Sequence, residues 1–455
     1  MRYSIYCDME INGKLIHFTG IGGISMSALA CFAMLNGAYV TGSDSNSIPN
    51  KQFMDSIGII SYIGSNPDIA ANADLLVYTS AVTELDNEVR SCKAKNIPVI
   101  PRHEFLAMVS KSYRDVIAIS GTHGKTTTTA MLAAIMKKAD YPFAAHIGGS
   151  AEDINGNFYH KGNDLFITEA CEYKRSFLSL RPTLSIILNI DNDHPDTYKS
   201  KEELIDVFHQ FADRSDVALV FNGFNENECK DDHIITYGYD NTCDFYAINI
   251  NHDANEKYGF DLCLNEQILI EDIKLSVYGR HNINNAMCAG AAASMWGVPS
   301  DIIRKGLNDF KGVGRRFEKR GKFNNAEIIS DYAHHPTEIK AVIETARHLT
   351  KGKLIVVFEP HTFSRTKALI NEFSVCFIGA DNLILLPTYA AREVKADGMD
   401  SDDLIKRIVG VNVIKAENYN EAREFVKKDL NSDDLVLVLG AGSIDKLANM
   451  LCEFK

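Results

Sequence analysis

The chain has 455 residues, of which 45% are hydrophobic and 24% charged, and a formal net charge of -13 at pH 7. That length suits two to four domains with buried cores, and the acidic balance excludes a general nucleic-acid binder, whose footprint is basic. The ten cysteines form no C-x-x-C pair and no zinc-finger spacing with histidine. The first ten residues lack the apolar stretch of a secretory signal, and no apolar run reaches the ~18 residues of a membrane span, so a cytoplasmic protein is expected.

Short apolar strands alternate with helical patterns nearly throughout, which predicts an α/β fold with largely parallel sheets. Lys14 to Thr19 reads as a strand. It runs into Gly20-Ile21-Gly22-Gly23-Ile24-Ser25 and then a helix through Met34. Such a glycine turn suits a nucleotide or pyrophosphate at the start of a helix, and equally a turn whose glycines serve packing. Asp44, in Thr41-Gly42-Ser43-Asp44, falls where a ribose-binding acid belongs. Further strands are expected at Leu75 to Thr79 and Pro98 to Ile100, and polar Ser110 to Arg114 marks a first boundary.

Val116 to Ser120 is the next strand, followed by Gly121-Thr122-His123-Gly124-Lys125-Thr126-Thr127 and a helical pattern from Thr128 to Met136. Strand, glycine loop and helix in that order are what a phosphate-binding loop requires. Gly121 and Gly124 let backbone N–H groups approach phosphate oxygens, Lys125 can reach the β/γ oxygens, and the Thr126 hydroxyl can join an Mg2+ shell. Ile119 occupies the first glycine position of the longer P-loop pattern, so the motif is a short form. Thr126 to Thr129 are poor helix formers whose place at a helix start favours hydroxyl chemistry.

Two later strands, Leu165 to Thr168 and Leu184 to Leu188, end in Glu169-Ala170-Cys171-Glu172 and Asn189-Ile190-Asp191-Asn192-Asp193-His194-Pro195-Asp196. Ligands of open α/β sheets sit beyond the carboxyl ends of strands, so these segments and the phosphate loop can share one crevice. Glu169 offers a hard oxygen for Mg2+, and His194 a ligand for a second metal or a phosphate. Glu172, Asp191, Asp193 and Asp196 read equally well as solvated loop acids. A β-rich stretch follows from Ile234 to Val277, then a helix from Asn282 to Met295 and a linker at Lys311 to Gly314. The last block has strands at Ile328 to Ser330, Lys353 to Phe358, Asn382 to Leu386 and Leu435 to Leu439. Three domains are expected, over residues 1–110, 111–312 and 313–455.

The order of these motifs resembles the Mur ligase family. Gly279-Arg280-His281-Asn282-Ile283-Asn284-Asn285-Ala286 is similar to its adenine-binding segment, and Arg315-Arg316-Phe317-Glu318 to the opening of its third domain. Asp331-Tyr332-Ala333-His334-His335-Pro336-Thr337-Glu338 is similar to its D-Y-x-H-x-P motif, and Gly440-Ala441-Gly442-Ser443-Ile444 to its terminal glycine turn. The resemblance implies a Rossmann-like first domain that binds a UDP-substrate, a P-loop ATPase-like central domain, and a Rossmann-like third domain for the amino acid. It implies a ligase of bacterial wall synthesis that takes ATP, Mg2+ and UDP-N-acetylmuramate. The sugar's lactyl carboxylate would become an acyl phosphate and then an amide. By the same resemblance, Gly20, Gly22, Gly23, Ser43 and Asp44 meet the UDP-substrate. Gly121, Thr122, His123, Gly124, Lys125, Thr126, Thr127, Asn282, Asn285, Arg316 and Asp331 meet the nucleotide. Thr126, Glu169 and His194 hold metal, and Lys125, His194, Arg316 and His334 act in catalysis. His334 and Arg365 form the amino-acid end.

Gly20-Ile21-Gly22-Gly23, the His-His-Pro-Thr-Glu run and Glu359-Pro360-His361-Thr362-Phe363-Ser364-Arg365-Thr366 are similar to those of family members that add L-alanine. Two residues depart from that pattern. Ser25 stands where such members usually have glycine, and Thr362 where many have a second arginine. A sister ligase that reattaches a recycled peptide has the same chemistry and a bulkier amine donor. A nicotinamide oxidoreductase would use the first glycine turn and leave the phosphate loop unexplained. A nucleotide-sensing module would have no need of Lys125, Thr126, Glu169 and His194 together.

Overall fold

Residues Leu15–Thr19 (β1), Tyr39–Asp44 (β2), Ile60–Ile63 (β3), Leu75–Tyr78 (β4) and Val99–Pro101 (β5) form an all-parallel sheet of order β3-β2-β1-β4-β5. The computed structural model describes residues 10–79, 81–195, 197–224, 233–391, 393, 395, 398–428 and 430–452; Asp196 lies outside them. Strand order reverses beside β1, and the turn at Gly20 leaves from that switch point into the helix Ile24–Leu35. This is where open α/β sheets place ligands.

One buried acid organises this sheet. Glu88, on the helix Asn87–Ala94, has no exposed surface. Its carboxylate accepts hydrogen bonds from Thr19 Oγ1 (2.6 Å), Ser43 Oγ (2.7 Å) and the Asn66 N–H, and faces His17 Nε2 at 3.3 Å. It thereby joins β1, β2 and the chain entering the helix Pro67–Ala70. Burial alone would raise its pKa, but the donors from His17, Asn66, Thr19 and Ser43 prevail and hold it at about 2.

The chain divides into two compact units. One runs up to Gly121 and adds Leu132–Ile187 and Val207–Ile235. It contains the first sheet and the strands Asp115–Ser120 (β6), Phe143–Ala151 (β7), Gly156–His160 (β8), Leu165–Glu169 (β9), Leu184–Ile187 (β10) and Val217–Phe221 (β11). Their order is β11-β10-β6-β9-β7-β8, parallel except for the β7–β8 pair. Strand β6 is central and Ile117, Ala118 and Ile119 are fully buried, the continuous apolar run expected of a parallel strand covered on both faces. Ser120 pairs with Ile187 and Ile119 with Glu169, so the carboxyl ends of β6, β9 and β10 stand level at one edge.

The other unit comprises Thr122–Met131, Leu188–Asp206 and the chain from Thr236 onward. Ile234–Gly238 (β12), Phe245–His252 (β13), Lys257–Leu264 (β14) and Gln267–Tyr278 (β15) pair in sequence, antiparallel after a parallel first pair. The helix His281–Met295 follows, with Ala286, Ala289 and Ala291 to Ala293 buried. The last sheet contains Glu318–Phe323 (β16), Ala326–Asp331 (β17), Leu354–Phe358 (β18), Asn382–Leu385 (β19), Asn412–Lys415 (β20) and Leu435–Leu439 (β21), in the order β16-β17-β21-β18-β19-β20. Side chains alternate between its two faces. Leu354, Val356 and Phe358 enter one core, while Ile355 and Val357 enter the other. Among the described residues, no helix is long and apolar enough to cross a membrane.

The expected strands are present, with ends shifted by one or two residues. Strands β2, β3, β7, β8, β11, β16 and β20 are absent from the sequence reading. β2 reads Tyr-Val-Thr-Gly-Ser-Asp, with little apolar signal, and β16 and β20 are edge strands, whose charged residues answer solvent.

Replacing Glu88 with Ala is expected to lower unfolding free energy by several kcal/mol, at roughly 1–3 kcal/mol for each buried donor left without an acceptor. The depressed pKa adds a pH signature. The stability Glu88 contributes is fully present above its unfolded value of 4.5 and is lost as pH falls through about 2. Urea midpoints of the parent chain and Glu88→Gln, followed from pH 6 to pH 2, should converge at the acid end. Parallel curves would refute the assignment.

Candidate active site

The glycine loop after β6 has the backbone its sequence requires. Gly121 and Gly124 have φ of 129° and 88°, and a Cβ at Gly124 would run into the side-chain oxygen of Asn285 and stand 3.3 Å from Leu188 Cδ1. The helix Lys125–Lys138 starts directly after it. Lys125 Nζ donates to the Thr122 carbonyl at 3.1 Å, Thr129 Oγ1 to the Lys125 carbonyl at 2.8 Å, and Thr128 Oγ1 to Asn285 Oδ1 at 3.2 Å. Asn285 Nδ2 donates to Asn282 Oδ1 (2.9 Å), and Asn282 Nδ2 to the Tyr278 carbonyl (2.7 Å). The two asparagines thus brace the first turn of the phosphate-loop helix. Thr126 and Thr127 are also largely buried.

The loop after β10 locks onto the phosphate loop. The Asn189 side chain accepts from His123 N–H (2.8 Å) and donates to the His123 carbonyl (3.0 Å). Thr122 Oγ1 accepts from Asp191 N–H (2.9 Å). The His123 ring then bridges two carboxylates, with Nε2 3.1 Å from Asp191 Oδ2 and Nδ1 3.1 Å from Glu338 Oε1. Burial would lower the ring's pKa, but hydrogen bonds to Asp191 and Glu338 raise it to about 9. The bond from His123 holds Asp191 well below the usual carboxylate range. Glu338 is also held low, against its burial, by His123, His334 and Arg316.

Glu338 lies in the first turn of the helix Pro336–Leu349, where it completes a capping box with His335. Arg316 Nη1 stands 3.9 Å from Glu338 Oε1, and its guanidinium lies over the Tyr332 ring. Asp331 is buried, with its oxygens taking the N–H groups of Phe317 (2.7 Å) and Ala333 (2.6 Å), and burial raises its pKa to about 6. His334 Nδ1 lies 3.1 Å from the Tyr332 carbonyl, which fixes the proton on that nitrogen. Burial and Arg365 lower the His334 pKa to about 3.

Arg365, 6% exposed, places Nε (3.0 Å) and Nη2 (2.8 Å) on Asp193 Oδ1. Asp193 and Glu172 are buried, so the solvated reading of these two loop acids does not hold. Burial would raise the Asp193 pKa, but His194 and Arg365 keep it well below the usual range. His194 has φ of 56° and its Nε2 lies 3.7 Å from Asp193 Oδ2. Thr362 has φ of 70°, a rare conformation for a β-branched residue, at the start of the helix Phe363–Ala368.

In the other unit, Gly148 N–H donates to Glu169 Oε1, and a Cβ at Gly148 would stand 2.7 Å from Oε2. Only glycine leaves that carboxylate its place. At the first glycine turn, Gly20 has φ of 85°, and Gly22 N–H donates to Asp44 Oδ2 at 3.0 Å. Asp44 caps the turn, and the Ser43 hydroxyl is engaged by Glu88. Ser25 Oγ lies 2.8 Å from His146 Nε2 and accepts from Arg102 Nη1 (3.1 Å). Burial and Arg102 lower the His146 pKa to about 3.

The structure therefore brings Thr122, His123, Lys125, Asn282 and Asn285 together, and Arg316, Asp331, His334 and Arg365 about a second focus. Glu338 and Asp193 had no role in the sequence reading. Their available signals were the His334/Glu338 spacing of four residues on one helix start, and an acid directly before His194.

Residues 15–114 match the family described as Mur ligase family, catalytic domain, residues 119–293 the Mur ligase middle domain, and residues 315–442 the Mur ligase, glutamate ligase domain. The chain is 41% identical over 443 residues to the UDP-N-acetylmuramate–L-alanine ligase of Clostridium beijerinckii, covering 95% of this chain and 96% of that protein. It is 38% identical to the enzyme of the same name from Clostridium perfringens, covering 97% and 98%. Among solved structures, the UDP-N-acetylmuramate-alanine ligase of Thermotoga maritima aligns with a TM-score of 0.81 at 25% identity, covering 96% of this chain and 98% of that one. A murein peptide ligase from Psychrobacter arcticus shares the fold, with a TM-score of 0.74 at 24% identity over 96% and 98% of the two chains.

The raised pKa of His123 sets a stability window. Its bridge contributes fully below the unfolded value of 6.5 and is lost as pH rises through about 9. In nucleotide-free protein, the urea-midpoint difference between the parent chain and His123→Gln should be largest near pH 6 and shrink towards pH 10. A difference that stays constant would show that the ring carries no charge between Asp191 and Glu338.

Proposed function

The chain belongs to the Mur ligase family, and on that premise we propose that it joins L-alanine to the lactyl carboxylate of UDP-N-acetylmuramate, with ATP cleaved to ADP and phosphate, in bacterial wall synthesis. The observation that carries this reading is the phosphate loop clasped by Asn189 to Asp191. Near-full-length identity of 38–41% to L-alanine-adding enzymes supports it.

We assign residues 1–110 to the UDP-substrate, 111–312 to ATP and 313–455 to the amino acid. Gly20, Gly22 and Gly23 present the switch-point turn to the diphosphate, with Asp44 holding the turn and Ser43 behind it. Gly121 to Thr127 cradle the ATP phosphates, and Asn282 and Asn285 support that loop beside the adenine. Arg316, backed by Glu338 and Tyr332, offers charge to the transferred phosphate, and Asp331 fixes the backbone around it.

The donor set suits magnesium. The Thr126 hydroxyl and Glu169 carboxylate are hard oxygens, and Gly148 leaves the carboxylate the room a side chain would fill. Thr126, Glu169 and His194 would hold the ion, which supplies positive charge to the phosphate oxygens when bound.

The chemistry follows from the leaving-group problem. An oxygen of the lactyl carboxylate attacks the γ-phosphorus, the β–γ bridging bond breaks, and ADP departs. Lys125 and the loop N–H groups stabilise the charge on the transferred phosphoryl group. The alanine nitrogen, once deprotonated, attacks the acyl carbon. The tetrahedral adduct then expels phosphate and leaves the amide. Arg365 holds the alanine carboxylate, and His334, neutral at pH 7, presents an acceptor nitrogen to the amine instead of a second cation.

Lys125→Ala should reduce substrate-dependent phosphate release by about 10²–10³-fold while the UDP-substrate still binds. Near-parent turnover would remove Lys125 from the phosphate site. Arg365→Lys retains the charge opposite Asp193 and loses the planar fork. It should raise KM for L-alanine by roughly 10–100-fold, equivalent to about 1.5–3 kcal/mol for a charged hydrogen bond, with the constants for ATP and UDP-N-acetylmuramate unchanged. An unchanged alanine KM would move the carboxylate site elsewhere. Efficient use of a peptide donor and none of alanine would make the chain a peptide-recycling ligase.

A further inference from the structure

Asp191 stands between two imidazoles. Its Oδ2 lies 3.1 Å from His123 Nε2 and 3.6 Å from His335 Nδ1, and the three ligand atoms all fall within 4.8 Å of one another. In a tetrahedral site with metal bonds of about 2.0–2.2 Å, ligand atoms stand roughly 3.3–3.6 Å apart. Two of the three edges are thus close to formed. The third, between the two imidazole nitrogens, is no longer than 4.8 Å, and the ring centroids are 4.9 Å apart.

The far side of each ring is already anchored. His123 Nδ1 lies 3.1 Å from Glu338 Oε1, and His335 Nε2 lies 3.1 Å from the Asn192 carbonyl. Acceptors there place ring hydrogens on those nitrogens and turn the other nitrogens towards Asp191, and an ion entering at His123 Nε2 displaces the proton that nitrogen shares with Asp191. Metal-bound histidines are supported in this way, by a carboxylate or a backbone carbonyl on the remote nitrogen. His335 Nδ1 also receives the Thr337 N–H at 3.3 Å, which marks it as a lone-pair nitrogen, and a bound ion would replace that long contact. Thr337 Oγ1, 2.7 Å from Asp191 Oδ2, stands at the rim as a further oxygen.

We propose that His123, Asp191 and His335 form a second cation site, one that takes a borderline divalent ion of the zinc class in preference to magnesium. Two imidazoles and one carboxylate favour zinc, whereas magnesium prefers an all-oxygen shell. The site uses none of Thr126, Glu169 and His194. An ion in it fastens the phosphate-loop residue His123 to the start of the helix Pro336–Leu349.

The test uses the full chain, stripped of metal, without nucleotide and in excess Mg2+. Zinc affinity is read by competition with a chromophoric chelator, and cobalt(II) serves as the spectroscopic probe. The expected result is one ion per chain, a visible cobalt spectrum of nitrogen and oxygen ligation, and no displacement by magnesium. His335→Gln should weaken zinc by about 100-fold or more, and Glu338→Gln, which removes only the support of His123, by about 10–100-fold. His194→Gln should leave zinc affinity unchanged. Circular dichroism confirms that each variant folds. The proposal is overturned by the absence of binding in excess magnesium, by thiolate-to-cobalt charge-transfer bands, by parent-like affinity in folded His335→Gln, or by loss of zinc in His194→Gln.

Discussion

The side chain of Asn189 holds both backbone groups of His123, one accepted and one donated. That pair of hydrogen bonds sets the position of the phosphate loop against the strand-end loop, and the contacts of the His123 ring follow from it. A planar amide with a donor and an acceptor side by side fits a peptide edge. An aspartate of the same size would offer no donor to the carbonyl. Once the His123 backbone is held, its ring reaches Asp191 on one side and Glu338 on the other, and Glu338 in turn reaches Arg316 and His334. A single amide thus brings the phosphate loop under the influence of residues more than 200 positions along the chain.

The first sheet solves a comparable problem with a charge. Glu88 accepts from two strands and one loop in a core that excludes water, and the turn at Gly20 leaves from the same strand end. The rigid part of this turn is therefore polar and buried, and the glycines above it bend the chain. Ser25 adds a further tie to His146 and Arg102, so the residue that departs from the usual glycine gives that turn extra fixed partners.

Much of this was legible because its signals are local. A strand, a glycine loop and a threonine-rich helix start are contiguous, and parallel strands buried on both faces announce themselves as apolar runs, as in β18 and β21. The sequence also ordered the candidate residues along the chain correctly enough to suggest the family. What it lacked was pairing across distance. Nothing in the run Asp191-Asn192-Asp193 distinguishes an acid that bridges two histidines from one that meets an arginine 172 residues away. Edge strands such as β16 stayed hidden because their side chains answer solvent and not a core. Asp331 and Ser43 are expected at ligands from their motifs, and within the protein they meet Phe317, Ala333 and Glu88, partners that the sequence did not announce. Motif membership places a residue at a site, and its hydrogen bonds then decide which atom remains to serve a ligand.

Gly124 and Asn285 close this part of the molecule to gradual change. The glycine has a backbone conformation that side chains resist, and the space where a side chain would begin is already filled by the Asn285 oxygen. Trimming Asn285 would clear that space but leave the backbone torsion, and would also release Thr128 and Asn282 from their amide partner. No single step at either position improves the fit of the other. The pair forms a local optimum with steep walls, in which effects of substitution do not add. A lineage that carries this loop can alter the residues around it far more readily than Gly124 and Asn285 themselves.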